Sequence, residues 1–201
     1  MQKMIPVERL AREDRRSLGC RFGQPFDPRR LTTIQDVRCI VETYEDWSIH
    51  CGGNLHGTFA DLDSWSGLLI QVRDGDHLML VNPAHSRTRR TLTIAHEFGH
   101  LALGHRPIII ENDVGMRENR YSDAQEHEAT AYGASLLLPY APLLQMLRQG
   151  ASIRGIAHQA SIMASATPFV SLCEAKALKH LRKGAFEDSD IMRSAHKWPT
   201  R

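Results

Sequence analysis

Three residues that can bind a metal or move a proton lie within five positions of the sequence: His96, Glu97 and His100, in the stretch TIAHEFGHLALGH. On a helix, the two histidines are four residues apart and share one face, with Cβ atoms about 5–6 Å apart. Two imidazoles at that spacing can bind one zinc ion. Glu97 borders the same position but is not in line with the two histidine ligands, which suits a general base acting on a metal-activated water. The pattern therefore predicts a zinc site with Glu97 as the catalytic base.

The helix that carries these residues is otherwise apolar. Thr93 joins the three residues at helical spacing to form one polar stripe, and the other faces carry leucine, isoleucine, alanine and phenylalanine. A helix of that composition is expected to be largely buried. Burying a carboxylate and two imidazoles is costly unless a partner compensates their polarity, and a divalent cation does so. The alternative, a surface helix with two solvated histidines, fits the apolar surroundings poorly. Thr93 is expected to support the ligands without binding the metal.

Catalytic zinc usually has three protein ligands and one open position, so a third ligand must come from elsewhere. A third histidine six residues after His100 would stand at position 106, which is Arg106, and this excludes the metzincin pattern. His105 is one residue short of that position and follows Gly104, where the helix is expected to end. A carboxylate from a second helix is the remaining source.

The second helix offers two carboxylates, Glu126 and Glu128, within QEHEATAYGASLLLP. Two residues correspond to about 200° of helical rotation, so only one of them can face the metal. Glu126 shares its face with Thr130 and Gly133, whose small side chains allow close approach to the first helix. Thr130 is also placed to hydrogen-bond a histidine or carboxylate ligand. We therefore expect Glu126 to be the third ligand, with Glu128 as the alternative and Thr130 as a supporting residue.

The surrounding pattern predicts an α+β fold. SGLLIQV and HLMLVN, separated by a turn at Asp74-Gly75, predict a β-hairpin. Its second strand, 77–81, could add an extended peptide along its edge or could equally be a plain core strand. Apolar spacings of three and four after Asp27-Pro28 predict a helix over 28–44, and WSIHC predicts a further strand.

The C-terminal half is predicted to be helical. The helix carrying the histidines should span 86–104, and the second helix 122–138, opened by a Ser122–Gln125 capping box. Between them, residues 106–121 are expected to form a loop. One further helix should end at Gly150, and two more are expected at 153–162 and 167–184. These elements suggest a core over 1–139, a helical subdomain over 140–184 and a loosely held tail over 185–201.

The composition excludes several classes of protein. The 201 residues carry a formal net charge of +2, too weak to indicate nucleic acid or an anionic membrane surface as partner. The sequence contains no apolar run of about 18 residues and no N-terminal apolar segment of signal-peptide length, so a cytoplasmic protein is expected. The four cysteines form no C-x-x-C pair and are interpreted as small hydrophobic residues.

The two helices together resemble a known family. RTLTIAHEFGHLALGH followed by EHEATAYGASLLLP is similar to the ImmA/IrrE zinc metallo-endopeptidases, which pair T-x-A-H-E-x-G-H with a later E-x-x-A-N-x-F-A-x-x-L-L-x-P, and the match covers about 78–139. The resemblance implies that His96, His100 and Glu126 bind one zinc ion per chain, with manganese as an alternative metal. It also implies that Glu97 is the general base of a gluzincin-type peptidase.

Three positions depart from the family pattern: Thr130 replaces Asn, Tyr132 replaces Phe and Gly133 replaces Ala. Threonine can still hydrogen-bond, so the site should persist. Later in the chain, FVSLCEAKALKHL lacks the arginine that the family usually has there.

The resemblance also implies a substrate. Members commonly cleave a helix-turn-helix repressor and so relieve repression of stress or transfer genes. The competing hypothesis is a DNA-binding or zinc-sensing regulator without peptidase turnover. Residues 152–181 loosely resemble a helix-turn-helix, but Pro168 falls where a recognition helix should run, so direct nucleic-acid binding is not expected.

Overall fold

The computed structural model describes residues 4–20, 26–50, 65–72, 75–111, 117–152 and 155–156. Its elements follow one another in this order: α1 (Met4–Ser17), a 3-10 helix (Pro28–Arg30), β1 (Thr33–Ile34), β2 (Val37–Thr43), α2 (Tyr44–His50), β3 (Gly67–Gln71), β4 (His77–Val81), α3 (Arg87–Ala102), β5 (Ile108–Glu111), β6 (Arg117–Arg120), α4 (Asp123–Leu137) and α5 (Tyr140–Arg148). The fold is therefore of the α+β type, as predicted. No described helix meets the length and hydropathy that a membrane span requires.

A four-stranded mixed sheet in the order β1-β2-β4-β3 forms one layer. The predicted hairpin is confirmed, because β3 and β4 pair antiparallel from Gly67↔Val81 to Gln71↔His77. The prediction that 77–81 offers a free edge is wrong: β4 lies between β3 and a parallel β2. The continuous apolar run of β4, in which Met79 and Leu80 are fully buried, is typical of a strand covered on both faces.

The predicted helix over 28–44 is wrong beyond its first turn. Asp27 caps a single 3-10 turn, but Gln35 and Asp36 then take positive φ values of 46° and 65° and form the turn between β1 and β2. Val37 and Val41 have the i and i+4 spacing of a helix. They belong instead to an alternating strand whose central residue, Cys39, is buried.

Two further segments differ from the sequence prediction. Residues 47–50 belong to α2 rather than to a strand, because the Thr43 hydroxyl accepts a hydrogen bond from the Asp46 N–H at 3.2 Å and caps a helix there. The predicted loop 106–121 contains the antiparallel pair β5–β6.

Helices α3 and α4 agree with their predicted spans and pack with their backbones in contact. The Ser86 hydroxyl caps α3, and Ser122 and Gln125 form the predicted capping box of α4. A Cβ atom at Gly99 would lie 2.6 Å from the Ala129 carbonyl oxygen. The backbones of the two helices therefore touch, as the small side chains predicted.

Helix α1 packs against α4, and buried polar groups join the two helices. The Arg15 guanidinium, 1% exposed, donates a hydrogen bond to the Leu136 carbonyl at 2.6 Å, and the Tyr132 hydroxyl donates one to Asp14 at 2.6 Å. Cys20 and Cys39 are buried free thiols, consistent with their interpretation as small hydrophobic residues. Helix α5 ends before Gly150, as predicted, whereas most of 153–162 and all of 167–184 lie outside the described residues.

Candidate metal centre

Two helices bring the three predicted ligands together. The Nε2 atoms of His96 and His100 are 3.1 Å apart, and Glu126 Oε2 lies 3.1 Å and 3.8 Å from them. These donor atoms form a group that could hold a metal ion. Ligands bound at about 2.05 Å in tetrahedral geometry lie about 3.3 Å from one another, so the separations fit a zinc ion. The histidines come from α3 at helical spacing, and the carboxylate comes from the first turns of α4.

Burial keeps both histidines in the metal-binding form. His100 is 1% exposed, and burial together with His96 and His105 lowers its pKa to about 3. Burial also lowers the pKa of His96, although the neighbouring Glu126 carboxylate opposes that shift. Neutral imidazoles offer a lone pair to a metal, so this environment favours coordination.

Glu97 lies beside the donor group without belonging to it. It lines a cavity of about 490 Å³ together with His96, Glu126 and Thr130. Burial, with a further contribution from the Glu126 carboxylate, raises the pKa of Glu97 to about 7. A carboxyl group with that pKa can both take up and release a proton near neutral pH.

Thr130 and Thr93 occupy different positions relative to the ligands. The Thr130 hydroxyl lies 3.3 Å from Nδ1 of His96, the ring nitrogen that points away from the donor group. Thr93 lines the same cavity, but its hydroxyl donates a hydrogen bond to the Arg89 carbonyl within α3. The geometry thus links Thr130 directly to a predicted ligand and Thr93 to its own helix.

Glu128 lies on the other side of His100. Its Oε2 atom is 3.3 Å from Nε2 of His105, and Nδ1 of His105 is 3.1 Å from Nδ1 of His100. The sequence spacing excludes His105 as a metzincin-type ligand but does not predict its contact with His100. The signal that could have identified this contact is Gly104, which ends α3 and turns the chain back. The Tyr121 ring also stacks on His100, with centroids 3.6 Å apart.

Comparison with known protein families identifies the family of this chain. The family model described as the IrrE N-terminal-like domain, a peptidase family, matches residues 54–166, more than half of the chain. The comparisons with curated proteins and with solved structures found no match. The matched region contains α3, α4 and the three residues that could hold a metal. The chain therefore belongs to the ImmA/IrrE family, whose IrrE N-terminal-like domain implies a metallopeptidase.

Proposed function

We propose that this protein is a zinc-dependent endopeptidase in which His96, His100 and Glu126 bind the metal and Glu97 is the general base. The observation that supports this most directly is the meeting of three donor atoms, from two helices, in the cavity that also contains Glu97. Two imidazole nitrogens and a carboxylate oxygen form a donor set typical of catalytic zinc. Manganese is the alternative metal.

The residues around the donor group have separate tasks in the proposed reaction. Bound zinc would polarise the scissile carbonyl and lower the pKa of a water molecule toward about 7. Glu97 takes the proton from that water and returns it to the leaving amine. Thr130 holds His96 through its Nδ1 atom, whereas the Thr93 hydroxyl donates to the Arg89 carbonyl of its own helix.

Strand β3 is the proposed binding edge for the substrate. Among the described residues it pairs with β4 alone, and its first residue, Gly67, lies against α3. A Cβ atom at Gly67 would be 2.5 Å from Thr93 Cγ2 and 3.8 Å from Glu97 Cγ. An extended peptide hydrogen-bonded to β3 would therefore pass Glu97. This strand takes the place of β4, the edge that the sequence suggested.

As the physiological substrate we propose a helix-turn-helix transcriptional repressor, cleaved in the cytoplasm to relieve repression under stress. The family resemblance supports this choice. An unfolded protein such as casein distinguishes a selective enzyme from a general peptidase, because only the general peptidase should degrade it.

The decisive experiment measures metal binding and cleavage on the same samples. The full chain is incubated with the repressor encoded by a neighbouring gene, with and without a chelator. Glu97→Gln should retain zinc and lose activity by about 10²–10⁴-fold, the range for a general base. The exposed Glu45→Gln, on α2, is the matched control and should behave as wild type. If Glu97→Gln cleaves at the wild-type rate, the assignment of the base is wrong. Zinc binding without any cleavage would favour the zinc-sensing alternative.

A further inference from the structure

The C-terminal end of α3 places His105 against His100. The His105 N–H donates to the His100 carbonyl at 3.0 Å and the Gly104 N–H donates to the Leu101 carbonyl at 3.1 Å, with Gly104 at a φ of 61°. These two bonds define a Schellman motif, in which the second residue after the cap packs on the third-last helical residue. That contact is usually between hydrophobic side chains. Here it joins two histidines.

The side chains continue this contact into a hydrogen-bonded chain. Nδ1 of His100 lies 3.1 Å from Nδ1 of His105, whose Nε2 lies 3.3 Å from Glu128 Oε2. The side chains of His100 and His105 are 1% and 6% exposed, so water competes weakly for these atoms. The other nitrogen of His100, Nε2, faces Glu126 and His96.

Only one set of tautomers satisfies this chain when both histidines are neutral. An ionised carboxylate can only accept hydrogen bonds, so Nε2 of His105 must carry its proton. Nδ1 of His105 is then an acceptor, and Nδ1 of His100 must be the donor. Nε2 of His100 is left with a lone pair directed at the donor group. The Thr130 hydroxyl beside His96 can donate or accept, so it imposes no such choice on His96.

We propose that Glu128 and His105 are positioning residues that hold His100 as its Nδ1–H tautomer, with the Nε2 lone pair presented to the metal. This inference rests on the proposed function in one respect, which is that His100 binds the metal. It gives Glu128 a role distinct from that of Glu126. Outer hydrogen-bond partners of this kind typically change metal affinity by about 10–100-fold when they are removed.

The tautomer can be read without metal, by long-range ¹H–¹⁵N NMR of histidine side chains in the full-length chain at neutral pH. Wild-type His100 should show a protonated Nδ1 and an unprotonated Nε2. His105→Leu removes the acceptor yet keeps the hydrophobic contact usual in a Schellman motif, so the chain should fold and His100 should lose this preference. Glu128→Gln replaces a pure acceptor with a group that can also donate, which permits the reversed chain and should weaken the preference too.

His105→Asn is the conservative variant. Its Oδ1 atom is attached to Cγ, as Nδ1 is in histidine, so it can still accept from His100 but cannot reach Glu128 through a second ring nitrogen. Because its amide can also donate through Nδ2, it should restore the His100 tautomer preference in part, to a level between His105→Leu and wild type, and lose less metal affinity than His105→Leu. A residue with a purely structural role would show no such rescue.

Zinc affinity, measured by competition with a chromophoric chelator, completes the test. His105→Leu and Glu128→Gln should bind zinc about 10–100-fold more weakly than wild type. The matched controls are His50→Asn and Glu42→Gln, which alter a His–Glu pair 3.5 Å apart that lines a different cavity. They should bind zinc as wild type does. Circular dichroism and thermal unfolding confirm that each variant is folded.

The outcomes separate the two proposals. If wild type binds zinc and the His105 and Glu128 variants bind it equally well with an unchanged His100 tautomer, the positioning proposal is overturned and the proposed function is unaffected. If wild type binds no zinc, the proposed function fails, and the NMR comparison still decides whether Glu128 and His105 set the tautomer. Weaker zinc binding together with loss of the Nδ1–H tautomer supports the inference.

Discussion

Substitution of Gly99 by alanine tests whether the contact between α3 and α4 sets the metal site. The added Cβ atom would lie 2.6 Å from the Ala129 carbonyl oxygen and 2.7 Å from its Cα atom. Ordinary contacts of a Cβ atom begin at 3.4 Å, so the helices must separate locally by about 0.8 Å. The neighbouring atoms are helix backbone, which cannot rotate away as a flexible side chain would.

Gly99→Ala should change both the stability of the protein and its affinity for zinc. Overpacking costs about 1–3 kcal/mol, whereas replacing glycine by alanine within a helix stabilises by about 1 kcal/mol. The free energy of unfolding should therefore fall by up to about 2 kcal/mol. Metal–ligand distances tolerate only about 0.2 Å, so a displacement of about 0.8 Å between His100 and Glu126 should weaken zinc binding by at least about tenfold.

Two assays separate these effects. Urea unfolding of the metal-free protein gives the stability, and chelator competition gives the zinc affinity. Ala124→Ser, in the exposed first turn of α4, is the control for adding one heavy atom and should change neither value. A Gly99→Ala protein that gains the full helix-propensity stabilisation and binds zinc as wild type would refute the reasoning. It would mean that the helices can move apart freely and that their contact does not hold the ligands.

Three other predictions concern stability. Arg15→Met removes a charged hydrogen bond to the Leu136 carbonyl, worth about 1.5–3 kcal/mol before the relief of guanidinium burial is subtracted. Urea unfolding should show a net loss in the free energy of unfolding, and a variant as stable as wild type would contradict this. Burial raises the pKa of Asp14 despite the Tyr132 hydrogen bond, so the folded chain binds this proton more tightly than the unfolded chain does. The contribution of Asp14 to stability is therefore full below the unfolded pKa of about 3.9 and is lost as pH rises through the higher folded pKa. Asp14→Asn should be the more stable protein at neutral pH but not in acid. Equal dependence of the free energy of unfolding on pH in the two proteins would contradict this. Zinc at about 100 times its Kd should raise the free energy of unfolding by about 2.7 kcal/mol in wild type but not in Glu126→Gln, and equal stabilisation of both would argue against this ligand.

The sequence predicted those elements whose signals are local. Helix α4 begins at a serine whose capping box with Gln125 is complete within four residues, and α3 shows its apolar period and its polar stripe within one segment. The β3–β4 hairpin likewise pairs residues close in the chain. In each case the pattern and the ends of the element agree with the final structure, so local reasoning was sufficient.

The errors at β2 and at the edge of the sheet occurred where pairing partners are distant in sequence, whereas those at 47–50 and 106–121 concern local elements. The spacing of Val37 and Val41 suits either a helix or a strand. The identity of β2 as a strand depends on a parallel ladder with β4, in which Cys39 pairs with His77. The same ladder makes β4 a central strand and leaves β3 at the edge. A single sequence gives no direct signal for that pairing, although the turn at Gln35-Asp36 and the continuous apolar run of β4 are consistent with it.

The choice between Glu126 and Glu128 rests on the face of α4 that each side chain occupies, and the structure adds a contact that this argument did not include. About 200° of rotation separates the two side chains, so only one can reach the donor group. Ala129 directly follows Glu128 in α4, and its backbone touches α3 at Gly99, the residue before His100. Because the helices meet at that point, the two glutamates lie toward opposite edges of the same imidazole. Glu126 approaches its Nε2 atom, and Glu128 reaches its Nδ1 atom through His105. In the proposed site, the opposed directions that would exclude Glu128 from the metal would allow both glutamates to act on His100, because Gly99 keeps the helices in contact.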